Sequence, residues 1–194
     1  DEIMRKHIHH TDATFVILLK ACSSLEDLML VHTLVIECSL RLNIFVGSTL
    51  LDLYAKMGNI NNARNVFSSM KLCNTVSWSS MIAGLVQCSL DDDAFEAFHQ
   101  MQHEGVSPIP ATLVHCLRAC SQIGAADKGQ EIHAHSQKNT TMEKNVVVGN
   151  ALMDMYVKCD ALAKAKEVFD MVKIRNTVSW NVMIGGYVKH GHDK

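Results

Sequence analysis

The chain has 194 residues, of which 48% are apolar and only two are proline, and its formal net charge is −2 at pH 7. This apolar fraction argues against disorder, and the scarcity of proline beside many strong helix formers favours an all-helical chain. A net charge near zero is unusual for a nucleic-acid binder, because such proteins are mostly basic.

The cysteines and the apolar runs exclude two further classes. The seven cysteines are odd in number and none are spaced as C-x-x-C, which indicates reduced, mostly buried thiols. No segment approaches the roughly 18 consecutive apolar residues that cross a membrane, and no targeting segment is recognisable. Because the chain begins and ends inside repeated units, we expect it to be part of a longer protein.

An internal repeat organises the chain. Residues 74–78 (NTVSW) recur as residues 176–180, an offset of 102 residues, and the similarity continues on both sides of this segment. One third of that offset is about 34 residues, the length of a helical hairpin in known repeat proteins. In the unit after residue 43, apolar residues recur at intervals of three and four on either side of Gly58 and Asn59, which predicts two helices per unit.

The same spacing predicts the unit boundaries. Residues 1–11 form the tail of a preceding unit, and the units that follow are residues 12–43, 44–74, 75–109, 110–145, 146–176 and the truncated 177–194. A single hairpin cannot bury both its faces, so stacked neighbours should form one continuous array. We therefore predict an all-α solenoid whose first helices line the concave surface.

The motifs resemble a known family. The segments VGNALMDMYVKC (148–159), NTVSWNVMIGGYVKHG (176–191) and TFVILLKACSSL (14–25) belong to three unit types that alternate along the chain. This pattern resembles the PLS class of plant pentatricopeptide repeat (PPR) proteins. The first and fourth units resemble L motifs, the second and fifth S motifs, and the third and sixth P motifs. The resemblance implies a right-handed α-solenoid; tetratricopeptide arrays are the alternative, but their W-x2-L-G-x2-Y pattern is absent.

The resemblance also implies recognition of single-stranded RNA at one base per unit, selected by the fifth and last residues and packed by the second. Carried over, Ser48 with Asn74 resembles an adenine selector, and Asn150 with Asn176 a pyrimidine selector. The other base-selecting candidates are Ser79 with the atypical Ile109, and Asn181, while the L-like units have Val16 with Asn43 and Val114 with Asn145. The base-packing candidates are Phe45, Val76, Val147 and Val178. Units two to five would then bind 5′-A-N-N-Y-3′, where Y is C or U.

Structural roles compete with several of these assignments. Asparagine before a helix is a favoured N-cap, so Asn74 and Asn176 have a purely structural alternative. Lys56, Lys158 and Lys189 fall at the thirteenth residue of their units and are candidates for phosphate contacts. The alternative for the first two is an i,i+4 ion pair with an aspartate, whereas Lys189 has a glycine four residues earlier.

Metal binding is the other chemistry that the sequence suggests. His99 with His103, and His115 with Cys116 and Cys120, are the two clusters of potential ligands, but neither supplies the four ligands of a closed zinc site. We therefore expect buried thiols, exposed histidines and no cofactor. Trp78 and Trp180 are expected to pack between helices and not to stack on bases.

The predicted function is that of a binding module. The H-x-E and P-C-x-x-C motifs of zinc deaminases are absent, as are other catalytic motifs, so no enzymatic activity is expected of this segment. The family resemblance implies a mitochondrial or chloroplast RNA-processing or C-to-U RNA-editing factor. Its partners would be single-stranded organelle RNA and editing-complex proteins, with neither a membrane nor a small-molecule substrate. The alternative is a protein-interaction scaffold without RNA readout.

Overall fold

The computed structural model describes residues 12–37, 44–138 and 145–191, which contain eleven helices and no strand. They fall into two compact units, Asp1–Cys88 and Ser89–Lys194. The first unit contains α1 (Asp12–Ala21), α2 (Leu25–Glu37), α3 (Ile44–Lys56), α4 (Ile60–Ser69) and α5 (Thr75–Gln87). The second contains α6 (Asp91–His103), α7 (Pro110–Ile123), α8 (Ala126–Lys138), α9 (Val146–Lys158), α10 (Leu162–Met171) and α11 (Thr177–Lys189). The predicted all-α class is confirmed.

Local sequence signals set the helix ends. Asn59 caps α4 by accepting a hydrogen bond from the Asn62 backbone N–H at 3.2 Å, as its position before the apolar run predicts. Gly58, just before it, adopts φ +72°, a left-handed conformation in which a side chain would be strained. Pro110 opens α7, where its missing N–H costs nothing because first-turn N–H groups have no helical partner.

In the first unit, α3 packs against both α1 and α5, and α2 and α4 lie against these helices. Leu50, Leu51 and Tyr54 on α3 are almost completely buried, as is Ile82 on α5. The two helices approach closely at Gly84, where an added Cβ would lie 2.7 Å from the Ala55 Cβ. Glycine is therefore required at this crossing.

The second unit repeats this arrangement. Helix α9 packs against α7 and α11, and α8 and α10 lie beside it, so first helices of successive hairpins again contact one another. Leu152, Met153 and Tyr156 on α9 are buried in the centre. An added Cβ on Gly186 would lie 2.8 Å from Val157 Cγ2, which is the same close approach one repeat period later. None of the described helices has the length and apolar character that a membrane crossing needs.

Candidate nucleic-acid interface

The first predicted base-selecting pair meets through a third residue. Ser48 lies on α3, and its Oγ is 2.8 Å from Ser77 Oγ on α5. Ser77 Oγ in turn donates to Asn74 Oδ1 at 3.0 Å, and the Ser77 backbone N–H donates to the same oxygen at 2.9 Å. We call Ser48, Asn74 and Ser77 the first cluster. It joins residues that are 26 positions apart in sequence.

The second pair meets in the same place in the other unit. Asn150 Nδ2 on α9 donates to Asn176 Oδ1 at 3.1 Å. Ser179 on α11 joins them, because its Oγ donates to Asn150 Oδ1 at 2.7 Å and its backbone N–H donates to Asn176 Oδ1 at 3.0 Å. Asn150, Asn176 and Ser179 form the second cluster. Both predicted pairs are therefore brought together: the first through Ser77, and the second by a direct hydrogen bond.

The N-cap alternative for the two asparagines is confirmed. Asn74 and Asn176 cap α5 and α11 through Oδ1, and the Asn176 cap is a reciprocal capping box, since Ser179 Oγ accepts from the Asn176 backbone N–H at 3.2 Å. Each cap uses only the oxygen end of the amide. Among the described residues, Nδ2 of Asn74 and Nδ2 of Asn176 have no acceptor. Capping therefore leaves a donor at each of these positions.

The other predicted selectors are not assembled in this way. Ser79 is buried on α5, and Asn181 is exposed on α11. Ile109 is the N-cap residue of α7 but forms no side-chain cap hydrogen bond. Thr112, three residues later, is completely buried, and its Oγ1 has no hydrogen-bond partner in the described part of the chain. Thr112 holds the position in α7 that Ser77 and Ser179 hold in their helices. Because residue 109 is an isoleucine and not an asparagine, the Thr112 hydroxyl has no side-chain oxygen there to which it can donate.

The valines of the L-like units do not add polar groups. Val16 on α1 and Val114 on α7 are half-buried. Asn145 caps α9 by accepting hydrogen bonds from Val147 and Val148 backbone N–H groups, at 3.0 and 3.4 Å. Its predicted counterpart in the first L-like unit, Asn43, lies outside the described residues.

The four base-packing candidates share one structural position. Each is the second residue of a first helix, and each is more than half exposed; they are Phe45, Val76, Val147 and Val178. Apolar side chains exposed beside the polar clusters could pack on the face of a base.

The three lysines all have carboxylate partners. Lys56 Nζ is 2.6 Å from Asp52 Oδ2 and Lys158 Nζ is 2.7 Å from Asp154 Oδ2, so the predicted i,i+4 ion pairs form. Lys189 has no such i,i+4 partner, but its Nζ lies 2.8 Å from Asp160 Oδ1 across a helix contact. This ion pair and its hydrogen bond lower the pKa of the Asp160 carboxyl. The side chains nevertheless remain 68%, 54% and 50% exposed, respectively.

The tryptophans and thiols follow the packing interpretation only in part. Trp78 is buried against Phe67 with ring centroids 4.6 Å apart, whereas Trp180 contacts Phe169 at 4.9 Å but is 53% exposed. Cys116 and Cys120 are completely buried, and burial raises the pKa of Cys120 to about 12, but the other four described cysteines are only half-buried. No group of three or more potential metal ligands lies together among the described residues. His99 instead faces Glu131, with Nδ1 and Oε1 3.5 Å apart.

A further repeated contact was not predicted. His32 on α2 is hydrogen-bonded to Tyr54 on α3, with Nδ1 and the hydroxyl 2.9 Å apart. His133 on α8 and Tyr156 on α9 form the same contact at 2.9 Å. Burial lowers the pKa of His133 and raises that of Tyr156 to about 12, so both groups are neutral at pH 7. Both residues of each pair recur in sequence, but only the fold shows that they meet.

Comparison with known proteins identifies the architecture. A PPR repeat model matches residues 48–75, 76–106, 150–176 and 178–193, which together are just over half of the chain. A mitochondrial pentatricopeptide repeat-containing protein of Arabidopsis thaliana is 38% identical over 98% of this chain and 31% of its own length. A chloroplastic one from the same plant is 37% identical over 96% of the chain and 31% of its own length. The chain thus spans about a third of these relatives.

Solved structures show the same fold. The pentatricopeptide repeat protein PPR10 in complex with an 18-nt psaJ RNA element superposes with a TM-score of 0.74 at 17% identity, over 97% of this chain and 29% of that one. The PPR domain of Arabidopsis thaliana protein-only RNase P 1, in complex with tRNA, gives a TM-score of 0.69 at 17% identity, over 91% of this chain and 96% of that one. The predicted α-solenoid is confirmed. The chain belongs to the pentatricopeptide repeat proteins of plants.

Proposed function

We propose that this repeat array binds single-stranded RNA, as part of a mitochondrial or chloroplast RNA-processing or C-to-U editing factor. The observation that carries the proposal is the pair of equivalent clusters, in which residues 26 positions apart meet at the start of a first helix. Relatives named mitochondrial or chloroplastic and the RNA-bound PPR10 support the organelle and the ligand.

The unit register belongs to the same proposal. First helices begin at residues 12, 44, 75, 110, 146 and 177, where the proposed L, S and P units begin. The ranges that match the PPR repeat model all fall in S and P units, which supports a distinct L type for the other two. In this register the second, third, fourth and fifth units bind 5′-A-N-N-Y-3′.

Each cluster offers polar atoms for a base edge and an apolar side chain for its face. In the second repeat unit, the Asn74 amide and the Ser48 hydroxyl would contact the edge, and Phe45 would pack on the ring. Lys56 and Lys158 would add contacts to phosphates, a contribution that depends on salt but not on sequence. No catalytic step is part of the proposal, so the array selects a site on which other protein domains act.

A reciprocal substitution tests the base-selecting pairs. Fluorescence anisotropy would measure binding of the chain to RNAs that vary only the A or only the Y position. Ser48→Asn makes the first pair resemble the second, so the preference at the A position should move toward pyrimidine. Asn150→Ser should move the preference at the Y position toward adenine.

The outcomes separate RNA recognition from the alternatives. Each substitution serves as the control for the other, because it should leave the preference at the other position unchanged. If the wild-type chain bound no RNA at low salt, or bound all bases alike, the proposal would be refuted.

One observation favours the scaffold alternative. Leu72 and Ile174, one repeat period apart, are 77% and 79% exposed in the turns that precede α5 and α11. Repeated apolar side chains on a surface can mark a protein contact. Loss of co-purifying protein on Leu72→Ser and Ile174→Ser, with no RNA binding by the wild type, would support this function.

A further inference from the structure

We propose that Ser77 and Ser179, the third residues of their helices, are positioning residues that set the hydrogen-bond polarity of the two base-selecting pairs. The inference rests on the proposed RNA-binding function and extends it, because neither serine belongs to the predicted fifth-and-last pairs.

The amide orientation follows from the backbone. The N–H groups of Ser77 and Ser179 can only donate, so the atoms that they contact, at 2.9 and 3.0 Å, must be the oxygens of Asn74 and Asn176. The amide nitrogens therefore lie at the other end and remain donors. A base at either position has to present an acceptor to them.

The hydroxyl directions in the first cluster follow in turn. Asn74 Oδ1 can only accept, so we place the single hydroxyl hydrogen of Ser77 on the 3.0 Å contact to it. In this arrangement the 2.8 Å contact between the two serine hydroxyls, which either of them can donate, is donated by Ser48. With its hydrogen used in this way, Ser48 offers only lone pairs to a ligand. The pair as a whole presents one acceptor and one donor group, which suits the N6 amino group and N1 of adenine.

The second cluster has a different polarity because its fifth residue is an asparagine. Ser179 Oγ lies 2.7 Å from Asn150 Oδ1 and 3.1 Å from Asn176 Oδ1, and we place its single hydrogen on the shorter contact. Asn150 Nδ2 donates one hydrogen to Asn176 Oδ1. Two hydrogens on Asn176 Nδ2 and one on Asn150 Nδ2 remain. This donor-rich pair suits a pyrimidine, whose edge carries a carbonyl oxygen acceptor. Both serines are completely buried, so they act through the pairs and do not touch the base.

Alanine at these positions removes the hydroxyl but keeps the backbone N–H that caps the helix. In Ser77→Ala, Ser48 regains a free hydrogen and can donate as well as accept, so discrimination at the A position should fall. Losing one directed hydrogen bond corresponds to a drop of about three- to tenfold in the ratio of affinities for the best and worst base. Ser77→Thr keeps the hydroxyl and should restore the ratio; a threonine, Thr112, is already buried at the equivalent position of α7.

The experiment measures anisotropy titrations of the 194-residue chain with RNAs that carry each of the four bases at the A or the Y position. We expect Ser77→Ala to lower discrimination at the A position only, and Ser179→Ala at the Y position only. If the wild type discriminates and both alanine variants keep its ratios, the serines are caps alone and the inference is overturned. If the wild type shows no base preference, the proposed function itself fails, and the two failures are thereby distinguished.

Discussion

The buried Thr112 hydroxyl allows a quantitative test of how the helix starts are stabilised. Ile109 has φ −88° and ψ 165°, close to the −97° and 177° of Asn74, so the backbone at residue 109 is already suited to a capping asparagine. In Ile109→Asn, the new Oδ1 should accept hydrogen bonds from the Thr112 backbone N–H and Oγ1, as Asn74 does from Ser77. The substitution would thus convert an uncapped helix into a capped one.

The magnitude follows from two contributions. A side-chain N-cap contributes about 1 kcal/mol, and pairing a buried hydroxyl recovers roughly another 1 kcal/mol. Ile109 is only 39% exposed, so its removal also loses apolar burial. Ile109→Ala measures that loss. We therefore expect Ile109→Asn to be about 1–2 kcal/mol more stable than Ile109→Ala in the free energy of unfolding.

A double-mutant cycle isolates the hydroxyl. Thr112→Val removes the orphaned group and should be neutral or stabilising, because a buried hydroxyl without a partner costs free energy. In that background the advantage of asparagine over alanine should shrink by about 1 kcal/mol, leaving the backbone cap alone. Urea unfolding followed by circular dichroism at 222 nm gives these differences. Equal stability of the Asn and Ala variants in both backgrounds would refute the assignment.

Three other predictions concern packing, pH and salt. An added Cβ at Gly185 would have no neighbouring atom within 4 Å, whereas at Gly186 it would lie 2.8 Å from Val157 Cγ2. In urea unfolding, Gly185→Ala should therefore stabilise the chain by about 0.5–1 kcal/mol and Gly186→Ala destabilise it by about 1–3 kcal/mol; a shared sign would contradict the packing. Burial lowers the pKa of His133 in the folded chain, so protonation favours the unfolded state, and stability should be full above pH 6.5 and fall as the pH drops below it. His133→Gln should reduce the fall in melting temperature between pH 7.5 and 5.5, whereas the control His103→Gln, at an exposed position, should leave that fall unchanged. An equal fall in the wild type and in His133→Gln would disprove the role of His133. Lys158→Gln should weaken binding of all RNAs alike and reduce the slope of log K against log salt by about 0.7, whereas an unchanged slope would mean that it contacts no phosphate.

The helical period, the repeat offset and the turn residues were sufficient to predict the all-α solenoid. These signals are local, because a helix start depends on one capping residue and the apolar intervals that follow it. The two proposed base-selecting pairs were predictable only through family resemblance, and the structure adds that their residues meet. Their functional roles stay predictions.

Contacts between repeats were harder to predict. The hydrogen bonds of Ser77 and Ser179 across the helix contact were not predicted, although an asparagine followed three residues later by a serine is a variant of the capping-box pattern. The pairing of His133 with Tyr156 spans 23 residues and two helices, so no sequence interval indicates it. The Asp160 partner of Lys189 lies 29 residues away and escaped notice for the same reason. Long-range partners depend on how hairpins stack, which apolar periodicity alone does not determine.

The chemistry of asparagine allows capping and the proposed base recognition to coexist at Asn74 and Asn176. Serine and aspartate also cap helices, but a serine has one hydrogen, and an ionised aspartate has none. Asparagine can give its oxygen to the helix start and keep two N–H donors at the other end of the same rigid amide. The cap fixes the orientation of the amide before a ligand binds. The conformational entropy of these side chains is therefore lost on folding and not on binding. The residue that begins each helix is thereby also suited to contact a base.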